Sequence, residues 1–282
     1  MSLKISLVLS FFLIGTATAS VLVIYGDDDR QETINANPFL QDLADSTAAM
    51  IEEKNISIEG SLVSIKGPTL GERFGLCKDE RFYSQTSSAF CSGFLVAPDI
   101  MATAGHCLTN ESYCETAVWV FNYKLKAEKD SSVNVSKDDV YRCKSILKKD
   151  FGTNSRNDYA LIKLDRKVEG HSPVKIAQED PEIGEPLVMI GHPSGLPQKI
   201  DDGGFVRSRT LKGFKANLDA FQINSGSAVF SSKSGELVGI LVSGAPDYRS
   251  RLNDKCTEVN VVSDSMGDEG VSSFKQFASY LE

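Results

Sequence analysis

From about residue 90 onward the chain is a series of short apolar runs, many β-branched or aromatic, cut apart by turn residues. Phe94–Ala97, Ala117–Tyr123, Tyr159–Leu164, Pro186–Ile190, Ala228–Phe230 and Leu237–Val242 are of this kind. Runs this short and this frequent leave little room for long helices and predict an all-β sandwich or barrel. Helical spacing is confined to two places. The first starts at an Asn37 cap with Pro38 in the first turn and carries Leu40, Leu43, Ala44, Thr47, Met50 and Ile51 on one face. The second closes the chain with Phe274, Phe277, Ala278 and Leu281. Both read as packing helices. With 282 residues, 41% of them hydrophobic, the chain can fill one large domain or two small ones. Its formal charge of −8 argues against a general nucleic-acid binder and against attraction to an anionic membrane surface.

The N-terminal stretch sets the expected compartment. Lys4 precedes the apolar run Ile5–Ile14, and Ala17-Thr18-Ala19 follows as an Ala-x-Ala site before Ser20. The run is too short to span a bilayer. Residues 1–19 are therefore expected to be a signal peptide, and the protein to be secreted or periplasmic without stable membrane association. Six cysteines follow it, at 77, 91, 107, 114, 143 and 256. An even count outside the cytosol reads as three disulfides. Residues 20–60 read as an N-terminal extension or propeptide, or else as part of the first barrel, and 61–282 as the main domain. The acidic cluster Asp27-Asp28-Asp29 beside Arg30 reads as a processing site, a cation site or a solvated loop, the last being favoured. Sequons at Asn55, Asn110 and Asn134 matter only where exported proteins are glycosylated.

Only three histidines are present, so each can be weighed. His106 ends a strand–turn–strand pattern running from Cys91 to Cys107, and a disulfide between those cysteines would clamp the hairpin and fix the imidazole. Asp158 immediately precedes the apolar strand Tyr159–Leu164, where a buried acid can orient an imidazole N–H. Ser225 lies in Asn224-Ser225-Gly226-Ser227, a tight turn feeding a strand, which exposes a hydroxyl and gathers backbone N–H groups around it. Taken singly, each has an ordinary structural explanation.

Together, in type, order and spacing, the three segments resemble the trypsin/chymotrypsin superfamily of serine endopeptidases, whose chain order is His, Asp, Ser. Ala104-Gly105-His106-Cys107 is similar to that family's Ala-Ala-His-Cys. Asp158–Leu164 is similar to its Asp-hydrophobic-Ala-Leu-hydrophobic-Lys-Leu. Asn224–Val229 is similar to Asn-Ser-Gly-Ser-Pro-Val, with Ala228 for the proline. The Asn-Ser-Gly-Ser form is more like the bacterial glutamyl-endopeptidase branch, and Val23–Arg30 is faintly similar to the start of mature enzymes there. The resemblance covers roughly residues 45–282. It implies two antiparallel six-stranded β-barrels with a C-terminal helix and an active site in the cleft between them. It implies that His106 is the general base, that Asp158 orients it, and that Ser225 attacks the substrate to form an acyl-enzyme. Protein or peptide substrates, no cofactor, no metal and a monomer follow from the same likeness. Asp165 falls after its strand and Ser227 after its glycine, so both are weaker candidates. His192 reads as a turn residue and His171 as a surface one.

Several positions depart from the pattern or bear on selectivity. Family members usually carry Gly two positions before the serine, where this chain has Ile223. Its N–H and that of Ser225 would form the oxyanion hole, yet a β-branched residue resists positive φ. Either that half of the hole is misaligned until substrate binds, or the substitution is harmless. Asn224 replaces the Asp that pairs with a new N-terminal amine in animal zymogens, so activation by that ion pair is not expected. Asp219 stands where trypsin-like members place the floor of the S1 pocket, and a carboxylate there would select Arg or Lys at P1. Bacterial relatives with Asp at this place need not share that preference. Leu241, Ser243 and Gly244 fall on the substrate-lining strand, and Leu241 takes the place of the histidine of the glutamate-selective branch, which disfavours glutamate. For the remaining cysteines, Cys114 with Cys143 and Cys77 with Cys256 is the favoured of three pairings. The rival to an enzyme is a weakened or inactive fold acting as a binding module.

Overall fold

The computed structural model describes residues 24–152, 157–244, 246–252 and 254–281. The expected signal peptide lies outside them. Six strands close a first barrel: β1 (Thr47–Glu52), β2 (Ala89–Ala97), β3 (Ile100–Thr103), β4 (Ala117–Val120), β5 (Val140–Asp150) and β6 (Tyr159–Leu164). Around the barrel they run β5–β6–β3–β2–β1–β4, all antiparallel, with β4 returning to β5. A second barrel holds β7 (Pro186–Gly191), β8 (Lys199–Arg209), β9 (Gly213–Ala216), β10 (Ala228–Ser231), β11 (Leu237–Ser243) and β12 (Glu269–Ser273). Its order is β7–β10–β11–β12–β9–β8, closed by β8 on β7. Closure gives every barrel strand a paired neighbour on both sides, and alternate side chains fill each interior. The expected two-barrel, all-β class is the observed one.

The described residues begin on the second barrel. Ile24–Tyr25 runs parallel to Val261–Val262, and Arg30–Glu32 adds an antiparallel strand to β8. Helix α1 (Pro38–Ala44) then carries it to the first barrel, its N-terminus capped by Asn37, whose side chain accepts the Leu40 N–H. The expected helical face does not continue beyond Ala44, because Thr47, Met50 and Ile51 belong to β1. The boundary expected near residue 60 therefore has a barrel strand on its N-terminal side. β1 is buried on both faces, with Met50 packed inside the barrel and Ala49 and Ile51 under a small sheet formed by Ile56–Glu59, Leu62–Ile65 and Asn134–Ser136. A strand with two buried faces shows no alternation, and its apolar residues fall at helical spacing by coincidence. The C-terminal spacing is realised as two 3-10 turns, Phe274–Gln276 and Ala278–Tyr280, with Phe274 and Phe277 buried.

Three disulfides tie the fold: Cys91–Cys107, Cys114–Cys143 and Cys77–Cys256. The last closes a span of 179 residues between the N-terminal part and the second barrel. Inside the first barrel Trp119 lies across β2 where residue 93 has no side chain. A Cβ at Gly93 would approach the indole to 2.5 Å and the Ala102 carbonyl oxygen to 2.9 Å.

His171 is not a surface residue. Its side chain is 4% exposed and stacks on Phe121. Nδ1 lies 3.0 Å from an Asp45 carboxylate oxygen and Nε2 lies 3.6 Å from Asp139. Burial alone would lower its pKa, but the Asp139 and Asp45 carboxylates outweigh burial and push it up to about 9.

Two outcomes follow. Gly93→Ala should lose about 1–3 kcal/mol through overpacking against Trp119, read as a lower urea midpoint at unchanged m. Because the folded state holds the His171 proton more tightly, its contribution is complete below the ordinary imidazole pKa of about 6.5 and is lost as pH rises through about 9. The stability difference between wild type and His171→Gln should therefore shrink from pH 6 to pH 10. A pH-independent difference would remove the charged-histidine account.

Candidate active site

β3 ends at Thr103 and runs into a 3-10 turn, Gly105–Leu108, that presents His106. Cys107, next in the chain, is bound to Cys91 on β2, so the turn is held to the barrel wall. β6 pairs with β3 with Ala160 opposite Thr103, which brings Asp158, just before β6, beside the turn. Asp158 grips His106 twice: Oδ1 accepts its backbone N–H at 3.0 Å and Oδ2 lies 2.8 Å from Nδ1. With Nδ1 donating to the carboxylate, the neutral ring carries its lone pair on Nε2. The imidazole and the carboxylate are both half-buried, which keeps their attraction stronger than in bulk water.

Ser225 reaches this place from the second barrel. Its carbonyl oxygen accepts the Ser92 N–H of β2 at 2.8 Å and sits 3.6 Å from Cys107 Sγ, next to His106. Gly226 has φ +89°, and a Cβ there would fall 2.0 Å from the Ser92 carbonyl oxygen, so glycine is what permits the docking. Thr103 Oγ1 donates to that same carbonyl at 2.6 Å. From β11, Leu241 takes the Gly226 N–H on its carbonyl and gives its own N–H to Ser227. The loop is thus fixed on both sides.

The two backbone donors assigned to an oxyanion hole are uncommitted. Neither the Ile223 nor the Ser225 N–H has an acceptor among the described residues. Ile223 adopts φ +71° despite its branched Cβ. The loop around it is pinned: the Gln222 N–H donates to Asp247, the Gln222 carbonyl accepts the Ser194 N–H, and Asn224 N–H reaches the Phe221 carbonyl. This network holds a conformation that an isolated isoleucine would avoid at a cost of about 1–2 kcal/mol. Asn224 is buried with no charged partner among the described residues, its Oδ1 accepting from Ser227 Oγ at 2.6 Å.

The competing residues separate clearly. Ser227 spends its hydroxyl on Asn224 inside the barrel. Asp165 accepts the Arg142 N–H and pairs with Arg166 at the surface. His192 is buried, stacked on Tyr123, with Nδ1 against the Leu196 carbonyl, and burial pushes its pKa down to about 3.

The expected substrate-contacting set divides. Ser243 and Gly244 are exposed at the end of β11, but the Leu241 side chain points into the barrel core and contributes only backbone. Asp219 is 2% exposed and forms no open floor. Its Oδ1 accepts the Tyr25 N–H at 3.0 Å and its Oδ2 the Asp29 N–H at 3.1 Å. Burial pushes its pKa up to about 7, against the opposing pull of those two N–H groups, and Asp201, which accepts the Asp219 N–H, is raised well above the carboxylate range by burial and by the Asp219 charge. The physical reason for the correction is the chain's own N-terminal segment, which uses both oxygens. Within the acidic cluster Asp27 and Asp29 are exposed, as expected of a solvated loop, while Asp28 holds the buried Arg30 guanidinium at 2.8 Å, and that guanidinium lies 3.7 Å from the Phe221 ring centre.

Sequence reasoning missed Ser92, Tyr25 and Glu269. Ser92 looked like one polar residue in an apolar strand. Tyr25 donates its hydroxyl to Glu269 at 2.9 Å, and a Cβ at Gly244 would lie 2.0 Å from the other Glu269 oxygen. An acid opening a barrel strand next to Gly270 was the one available signal.

Residues 91–240 match the trypsin-like peptidase domain. Curated relatives include a rat (Rattus norvegicus) granzyme-like protein 2, 32% identical over 96 residues, which are 33% of this chain and 34% of that one. A macaque (Macaca mulatta) chymotrypsin-like elastase family member 3B is 30% identical over 91 residues, 32% of this chain and 35% of that one. The matched segment thus spans about a third of the length of these relatives. Among solved structures, a Glu endopeptidase complexed with MPD superposes with a TM-score of 0.53 at 19% identity, covering 92% of this chain and 98% of that one. Human heparin binding protein does so with a TM-score of 0.54 at 12% identity, covering 89% and 93%. At these identities the superpositions bear on the fold. The domain match extends over more than half of the sequence and contains His106, Asp158 and Ser225, and on it the chain belongs to the family of trypsin-like peptidase domains.

Proposed function

We propose that the protein is an exported serine endopeptidase. Ser225 attacks the scissile carbonyl, His106 Nε2 removes its proton and later protonates the leaving amine, and Asp158 holds the imidazole in the required tautomer and stabilises the imidazolium. The tetrahedral oxyanion is received by the Ile223 and Ser225 N–H groups. The observation that carries this reading is the convergence of three features: the double contact of Asp158 with His106, the anchoring of Ser225 beside Cys107, and two neighbouring N–H groups with no acceptor among the described residues.

Export is supported by the n-region, apolar run and Ala-x-Ala site of residues 1–19 and by three disulfides, which persist in oxidising compartments. No helix among the described residues is long and apolar enough to cross a membrane. The substrates in this reading are proteins or peptides laid along Ser243 and Gly244. Asp219 anchors the N-terminal segment through Tyr25 and Asp29.

Ser225→Ala and His106→Ala should each lower kcat on a chromogenic peptide or ester by about 10^4-fold or more, with unfolding midpoints close to wild type. Folded wild-type protein without turnover on any such substrate would favour a binding module. Ile223→Gly bears on the oxyanion hole: since residue 223 already holds a glycine-like φ of +71°, turnover should change by less than about threefold. A gain of about 100-fold or more would mean that isoleucine misaligns the donor.

A further inference from the structure

The end of β11 and the serine loop flank the place that the P1 side chain of a substrate must enter. Leu241 exchanges two backbone hydrogen bonds with Gly226 and Ser227, and beyond it Ser243 and Gly244 are exposed. Peptides commonly bind by adding a strand to such an edge. A substrate laid there brings its scissile carbonyl to Ser225, with the oxygen toward the Ile223 and Ser225 N–H groups. Its P1 side chain then faces the interval between Gly244 and the loop of residues 219–224.

That interval is occupied by the chain itself. Tyr25 crosses it: its backbone N–H donates to Asp219 Oδ1 at 3.0 Å, and its hydroxyl donates to Glu269 Oε1 at 2.9 Å. The same hydroxyl accepts the Asp268 N–H at 3.5 Å. Glu269 opens β12, and its second oxygen lies 2.0 Å from the place a Cβ on Gly244 would take. Asp219, Tyr25, Glu269 and Gly244 thus form one continuous line from the base of the interval to the substrate edge. Asp219 is 2% exposed, Tyr25 4% and Glu269 0%, whereas Gly244 is open. The accessible surface therefore begins at the level of Gly244.

Tyr25 is also firmly held. Ile24 and Tyr25 pair with Val261 and Val262, Ile24 packs with Phe221, and the Asp29 N–H holds the second Asp219 oxygen. Pushing the ring aside would strain this strand pairing and take a donor from each of two buried carboxyl groups, which is costly.

We infer that Tyr25 and Glu269 set the P1 specificity by filling the interval up to Gly244, so that the substrates are segments with Gly, Ala or Ser at P1. This rests on the peptidase reading and names the substrate class for it. A methyl or hydroxymethyl group stops short of the Tyr25–Glu269 pair. Leucine or phenylalanine would have to displace it, lysine cannot pass it to reach Asp219, and glutamate would be pressed against the Glu269 carboxyl group.

The test uses chromogenic tetrapeptide amides of fixed P2–P4 sequence with Gly, Ala, Ser, Leu, Phe, Lys or Glu at P1. The best of the three small residues should exceed each of the four larger ones about 10- to 100-fold in kcat/KM. In Tyr25→Ala the ratio of Ala to Leu should fall about tenfold, whereas Tyr25→Phe, which keeps the ring, should retain it. Glu269→Ala clears the space before Gly244 without touching the N-terminal strand and should lower the same ratio, so the test does not depend on one variant folding. Wild-type protein that prefers Leu, Phe, Lys or Glu at P1 overturns the inference alone, as does an Ala-to-Leu ratio unchanged in folded Tyr25→Ala or Glu269→Ala. Absence of hydrolysis of every peptide by folded protein overturns the peptidase reading and the inference with it.

Discussion

The structure depends on one docking contact between its two barrels, the hydrogen bond from the Ser92 N–H to the Ser225 carbonyl. Ser92 has no exposed surface, and every polar group it carries is used. Its carbonyl accepts from Thr103 and its hydroxyl accepts the His192 N–H at 3.0 Å, so one residue joins β2, β3, the end of β7 and the serine loop. Buried polar groups are tolerated only when paired, and each of these bonds therefore constrains the others. The chain neighbour Cys91 is bonded to Cys107, which fixes His106 to the same strand that receives Ser225. Two residues separated by more than a hundred positions are thereby brought together by backbone, leaving the side chains free for chemistry.

A second constraint is electrostatic and lies beneath the serine loop. Arg30, 2% exposed, is balanced by Asp28 and rests on Phe221, a residue held at φ +54°. Asp219, Asp201 and Asp247 are buried nearby, and burial raises the carboxyl pKa of each. The Asp247 carboxylate takes the Gln222 N–H and Asp219 takes two N–H groups from the N-terminal segment. Buried acids are costly unless hydrogen-bonded, and here the cost is offset by fixing the backbone of residues 219–224. The left-handed conformation of Ile223 is possible because the residues on either side have no freedom to relieve it.

The parts of this arrangement readable in the sequence were those expressed in local pattern. His106 beside Cys107, Asp158 ahead of a six-residue apolar strand, and Ser225 ahead of Gly226 each carry their signal within a few residues. β1 was misread as helix because a strand buried on two faces loses its period of two. The ion pair of Asp28 with Arg81 and the burial of His171 against Phe121 are not legible locally, because these partners lie far along the chain. The sequence offers Asp219 as the floor of a substrate pocket, but a segment nearly two hundred residues away occupies both of its oxygens.

The central claim is that Ser225, docked beside His106, is a reactive nucleophile. Exposure of the folded protein to a fluorophosphonate, followed by peptide mapping by mass spectrometry, tests it directly. The account predicts one adduct per chain, located on Ser225, with the rate of its formation greatly reduced in His106→Ala. Folded protein that remains unmodified, or that carries the adduct on another residue such as Ser227, would contradict it.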